Sequence, residues 1–317
     1  MANLSVVIPA TDAPPTLPRA LAAIERSAEA PDEIVVVTER SAGSACGARN
    51  LGAARATGDV LLFVDADVEV HPDAIARLRA AMDDDPGLTA VYGSYDDHPA
   101  ARSIVSSFRN LLHHHVHQAG AGPADTFWTG LGAVRRDHFL AVGGFDEERY
   151  PHPSIEDIDL GRRLIAAGGR IRLDPEAQGT HLKRWTLRSM LWTDFARRGV
   201  PWVALQLRER RAADSLNCGW RHRLSALSCV VGVLAAFLHP LLAVAAFGNL
   251  VALNRTFYAL LLSRMGLLRG LAAVALHGMH HLVAVAAVLG GVTLMALESA
   301  GASWRRVPAT SQEGVAS

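Results

Sequence analysis

The chain has 317 residues, 31 Lys and Arg against 31 Asp and Glu, a formal net charge of +0 and 50% hydrophobic content. That length suits one sizeable domain with an extension, or two domains, and the balanced charge leaves nucleic acid without the basic surface it requires. Cys46, Cys218 and Cys229 are few and widely spaced. They form neither a disulfide framework nor a zinc site, and a reducing, cytosolic setting fits.

Residues 4–8, Leu-Ser-Val-Val-Ile, form the first expected strand, stopped by Pro9, with neither the basic region nor the cleavage site of a signal peptide. A helix is expected over 19–30, with Leu21 and Ile24 on one face, and a strand over 33–38. The small, glycine-containing loop 41–47 leads into a helix over 48–57. Residues 60–64, Val-Leu-Leu-Phe-Val, are an unbroken run of the kind buried on both faces of a parallel sheet. A helix over 73–83 and a strand over 89–92 complete an alternation that predicts a wound α/β sheet. Residues 103–117 have a helical pattern, on which the neighbouring His113, His114, His115 and His117 do not face one metal. A further strand is expected over 170–173.

Asp65 and Asp67 directly follow the central run. Ligands bind at the carboxyl ends of strands in such sheets. Two carboxylates placed there repel unless a cation lies between them, which suits a divalent ion completed by a ligand's phosphates. The alternative is a turn or cap opening the helix near Asp73. Glu69 is either a further ligand or a solvated strand end. Residues 154–164 pose a similar choice. Ser154 with Glu156, Asp157 and Asp159 suits a helix start, yet three acids in four positions exceed what a cap requires and suit a general base. Arg49, opening a helix after a glycine-containing loop, can pair with phosphate oxygens or remain a surface cation. Residues 127–136 combine glycines with Phe127 and Trp128, suited to close backbone approach and to a flat face for a sugar, with core packing the stronger reading for Phe127.

Five pieces carry a resemblance. They are residues 6–9 (Val-Val-Ile-Pro), residues 48–59 (Ala-Arg-Asn-Leu-Gly-Ala-Ala-Arg-Ala-Thr-Gly-Asp), the Asp65-Ala66-Asp67 element, Gly143-Gly144-Phe145-Asp146-Glu147 and Glu156-Asp157-Ile158-Asp159-Leu160. In order and spacing the chain resembles a family 2 glycosyltransferase with the nucleotide-sugar-binding fold called GT-A. The resemblance implies a nucleotide-sugar donor and a divalent metal, Mg2+ or Mn2+. It makes Asp67 the direct metal ligand, with Asp65 on ribose or metal, and Asp157 the base, beside Glu156, for transfer with inversion. It sets Pro9, Ala10, Glu39, Arg49, Asp65 and Gly130 at the donor and Trp128 towards the acceptor. His181-Leu182-Lys183-Arg184-Trp185 resembles the Gln-x-x-Arg-Trp element of processive membrane relatives, with His for Gln. By that likeness His181 completes the metal site and Trp185 stacks on the acceptor, while the substitution counts against polymer synthesis. Thr38-Glu39 departs from the acidic pair many relatives carry, which leaves the base open.

Trp185, Trp192 and Trp202 lie among seven arginines between 184 and 211, a basic aromatic pattern suited to a lipid surface, with Arg188 there as an acceptor contact. Residues 224–253 and 271–297 carry no formal charge and are long enough to span a bilayer. His239-Pro240 divides the first run as a kink or a turn, leaving two or three crossings. The expected organisation is a catalytic domain over 1–183, an amphipathic interface segment over 184–222, membrane helices over 223–298 and a disordered tail over 299–317. The leading expectation is a glycosyltransferase in the cytoplasmic membrane, multi-pass and catalytic on the cytosolic side, with a lipid or lipid-linked acceptor. The alternatives are a soluble or polymer acceptor, and a silent scaffold that binds nucleotide sugar.

Overall fold

The computed structural model describes residues 2–210 and 219–304. Of the disordered tail expected over 299–317, residues 299–304 are instead helical, continuing the last apolar helix, and residues 305–317 lie outside that set. The first half alternates as the apolar runs predict. It comprises β1 (Leu4–Pro9), α1 (Leu17–Glu25), β2 (Glu33–Val37), α2 (Ala45–Arg55), β3 (Val60–Val64), β4 (Val68–Val70), α3 (Ala74–Asp84) and β5 (Ala90–Tyr95). There follow α4 (Ile104–Ala119), β6 (Gly122–Ala124), β7 (Leu131–Arg135), α5 (Arg136–Ala141), α6 (Glu156–Ala166) and β8 (Ile171–His181).

The sheet runs β2-β1-β3-β7-β5-β8-β4, with β6 on β8. It is mixed: β3 pairs parallel with β1 but antiparallel with β7. Every residue of β3 is buried, and its alternation divides the core. Val60, Leu62 and Val64 pack with α1 and α3, while Leu61 and Phe63 pack with α2, α5 and α6. A run flanked by elements on both faces has no polar side, which is why the sequence there is continuously apolar.

The strand expected over 170–173 extends to His181. Its alternating burial continues through Ala177 and Gly179, while Pro175 falls where its register with β5 shifts. The extension pairs His181 with Val68 of β4. At α6, the N-cap is Ile155 and makes no side-chain cap. Ser154 instead donates its hydroxyl to the Arg197 carbonyl at 2.5 Å, so the capping reading of Ser154 is corrected.

The second half is helical: α7 (Leu187–Trp192), a π-helical stretch (Thr193–Gly199), α8 (Val200–Glu209), α9 (Trp220–Leu238), α10 (Pro240–Leu253), α11 (Arg255–Met265) and α12 (Leu267–Trp304). His239-Pro240 is a turn, because Asn249 and Asn254 donate back to Ser228 and Ser225 and close α9 and α10 into a hairpin. The helices α10 and α11 meet at 77°, so two helices are long and apolar enough to cross a membrane, or three if that bent pair counts as one span. Phe237, Leu238 and Leu268 are more than 80% exposed, an outward apolar surface suited to lipid rather than water. The helical half also packs on the sheet domain, with Phe108 and Leu111 of α4 against Phe257, Leu261 and Ala273.

Gly161 lets α6 approach the Thr126–Phe127 backbone, where a Cβ would lie 2.4 Å from the Phe127 nitrogen. Backbone cannot yield as a side-chain tip does. Gly161→Ala is expected to destabilise the protein by about 1–3 kcal/mol, read as a lower urea midpoint in detergent with an unchanged slope.

Candidate active site

The site is organised by one buried cation. Arg49, on the inner face of α2, is 5% exposed and donates from Nη2 to Asp65 Oδ1 at 2.7 Å and from Nη1 to Glu156 Oε1 at 3.0 Å. Burial disfavours its charge, but Asp65 and Glu156 outweigh that and raise its pKa. Glu156 Oε2 accepts the Ser154 N–H at 2.6 Å, so both of its oxygens are engaged. Glu156 is thus held as a positioning group rather than a free acid. The alternative of a surface cation is corrected by this burial, and Arg49 pairs with two carboxylates while also lining the cavity.

Asp65 and Asp67 are followed by β4, not by a helix, so the cap reading of the pair is corrected as well. His181 Nε2 lies 3.6 Å from Asp67 Oδ2, and its ring stacks on Tyr95 with centroids 4.1 Å apart. Burial favours neutral Asp67, yet His181 and Lys183 outweigh it and hold the carboxyl below its usual range. Among the described residues no three His, Cys, Asp or Glu side chains form a metal cluster on their own. Asp67 and His181, with Asp65 nearby, fit an ion that draws its remaining oxygens from a bound diphosphate. Glu69 is not available to it, being paired with Arg19 at 2.5 Å.

Asp157 follows Glu156 in the first turn of α6. It accepts the Ile158 N–H at 2.8 Å and lines the cavity. Its carboxyl is pushed up to about 7, first by burial and then by the Glu156 charge, against the pull of Arg198 and Arg49. A carboxylate with that pKa is a competent proton acceptor at neutral pH. Asp159 differs: it is buried and paired with Arg149 at 3.2 Å and Arg163 at 2.7 Å.

One cavity of about 1060 Å³ gathers these groups, and its walls include Arg49, Asp65, Asp67, Trp128, Asp157 and His181. Pro9, Ala10, Glu39, Gly130 and Arg188 are not among its walls. Ala10 is buried against β2, Glu39 pairs with Arg55 at 2.6 Å, and Gly130 is packed by the Trp128 ring. Arg188 is exposed away from the cavity. Trp185 touches the wall but is 8% exposed and packs with Phe108 and Met190, which limits it as a stacking platform. The sequence reading missed Tyr95, Arg109, His113, His117, Asp194 and His280. His113 and His117 stand one helical turn apart and pack on Trp128, and burial keeps both rings neutral, His117 at about 4. Their i, i+4 spacing was the available signal.

Residues 38–139 match the family model for glycosyl transferase family 2. The matched segment is 102 of the 317 residues. It takes in Arg49, Asp65, Asp67 and Trp128 and ends before Asp157 and His181. A pre-mycofactocin glycosyltransferase, matched from two strains of Mycobacterium tuberculosis, is 31% identical over 153 residues, covering 45% of this chain. The chain covers 31% of the length of those curated relatives, about a third. A mannosyltransferase from Pyrobaculum calidifontis, solved with GDP-Man and Mn2+, aligns at TM-score 0.51 and 16% identity over 92% of this chain and 87% of its own. At that identity the likeness concerns fold, and the family 2 segment lies in a GT-A sheet.

Removing the central cation leaves Asp65 and Glu156 facing each other without compensation. Arg49→Gln is expected to cost about 3–5 kcal/mol of stability. The double variant Arg49→Gln, Glu156→Gln should recover part of that loss in the same urea titration.

Proposed function

We propose that the protein is an inverting glycosyltransferase that moves a sugar from a nucleoside-diphosphate sugar to an acceptor reaching Asp157 from the side of the apolar helices. The observation that carries this reading is one cavity lined by Asp65, Asp67 and His181, by Asp157, and by His280, Ala284 and Val288 of α12. The family 2 match and the GDP-Man and Mn2+ in the Pyrobaculum mannosyltransferase support a nucleotide-sugar donor and a divalent ion.

In the proposed reaction the acceptor oxygen attacks the anomeric carbon. The bond from that carbon to the diphosphate breaks, its electron pair leaves with the nucleoside diphosphate, and the acceptor proton passes to Asp157. Asp67 and His181, with Asp65, would hold the divalent ion, which when bound supplies Lewis-acid stabilisation of the departing charge. Arg49 keeps Asp65 and Glu156 in place, and Glu156 in turn keeps Asp157 basic enough to take a proton. Trp128 offers an aromatic wall to the same cavity. Because α12 walls the cavity, the acceptor is a lipid or lipid-linked molecule. Nucleotide sugars are cytosolic, so the sheet domain faces the cytosol from the cytoplasmic membrane.

Calorimetric titration of nucleotide sugars onto the purified protein, with and without Mn2+, tests the donor half. Asp67→Asn should abolish metal-dependent binding and leave the fold intact; equal affinity in variant and wild type would remove the metal site from this reading.

Asp157→Asn should bind donor almost normally and lose roughly two to four orders of magnitude in turnover. Since only ionised Asp157 accepts a proton, the wild-type rate should be level above pH about 7 and fall about tenfold per unit below it. The variant should lack that limb. A wild-type rate that stays flat down to pH 5 would exclude Asp157 as the base.

A further inference from the structure

One part of the cavity wall holds a polar group that sugar transfer does not use. Asp194 on the π-helical stretch, Arg109 on α4 and His280 on α12 are all buried and all line the wall. Asp194 Oδ1 accepts from Arg109 at 2.9 Å, and Oδ2 lies 2.9 Å from His280 Nδ1. Burial favours neutral Asp194, but Arg109 and His280 outweigh it and hold the carboxyl down at about 2. An ionised carboxylate only accepts, so Nδ1 carries the ring proton. That leaves Nε2, which has no partner among the described residues although His280 is only 8% exposed. A buried ring nitrogen without a partner in the protein calls for one in a ligand.

Arg198 stands on the same wall and makes no hydrogen bond or ion pair among the described residues, and its charge acts on both Asp157 and Asp194. The wider π-helical turn directs Asp194 and Arg198, four residues apart, to the same side. Arg197 and Arg210 also line the cavity, and Arg109 already compensates Asp194. The wall around Asp194 is therefore cationic. Apolar side chains of Val203, Leu207, Ala284 and Val288 line the same cavity, beside the polar Gln206, His222 and Arg223.

We propose that this part of the wall is an anion subsite, in which Arg198 and His280 Nε2 receive an oxyanion carried by an apolar body that lies along Val203, Leu207, Ala284 and Val288. The subsite rests on the reading that an acceptor reaches Asp157 through this cavity, and it narrows that acceptor to an acidic amphiphile. A hydroxyl alone could satisfy a neutral Nε2, but Arg198 selects an anion.

The test uses the full chain in phosphatidylcholine nanodiscs, with empty discs as the blank, and calorimetric titration of octyl phosphate, octanol and inorganic phosphate. Octyl phosphate is expected to bind saturably and at least tenfold more tightly than either of the others. Arg198→Gln and His280→Asn should each weaken it at least tenfold. Asn retains a donor for Asp194 but lacks Nε2, and among the described residues Arg198 has no pairing whose loss could unfold the protein. Unchanged octyl phosphate affinity in folded Arg198→Gln overturns the subsite, as does octanol binding equally well. Inorganic phosphate binding as tightly as octyl phosphate overturns it too, because the site then takes a free ion. A parallel titration with nucleotide sugar and Mn2+ separates the two readings. Lost donor binding with octyl phosphate binding intact counts against sugar transfer alone, and the reverse counts against the subsite alone.

Discussion

The buried guanidinium of Arg49 is the interaction on which the site depends. It joins α2 and the end of the following strand β3 to the start of α6, 107 positions further on, through the carboxylates of Asp65 and Glu156. Neither the cation nor Glu156 is stable in that place alone, because an unpaired buried charge costs several kcal/mol. The consequence is geometric and electrostatic together. Fixing Glu156 fixes the first turn of α6, and the Glu156 charge helps hold Asp157 near neutrality. Asp65, Glu156 and the first turn of α6 are thus set by one cation.

The helical half is a wall of the site as well as a candidate membrane region. α12 closes the cavity opposite the sheet, and α4 carries the packing that holds it there. Several charges that the sequence suggested for lipid headgroups turn inward instead. Arg197, Arg198 and Arg210 border the cavity, and Arg208 pairs with Glu298 of α12 at 2.6 Å. The outward surface is left to leucine, valine and phenylalanine, which bilayer tails accept and water does not. One segment thereby serves two environments, cationic towards the cavity and apolar outwards.

Much of this was legible in the residue order. The continuous apolar run of β3 could only be a strand covered on both faces, and the acids directly after it had to lie at its carboxyl end. The long uncharged runs fixed the apolar helices in the same way, because hydropathy is a property of a segment and needs no partner. The pairing of β7 antiparallel to β3, the extension of β8 to His181 and the burial of Arg49 depended on contacts across 71, 113 and 107 positions respectively. The same holds for the Arg109–Asp194–His280 group, drawn from α4, the π-helical stretch and α12. Local periodicity determines which face of an element is apolar. Only the assembled structure decides which polar group meets which, because a buried charge takes its place from its partner and not from its neighbours in the chain.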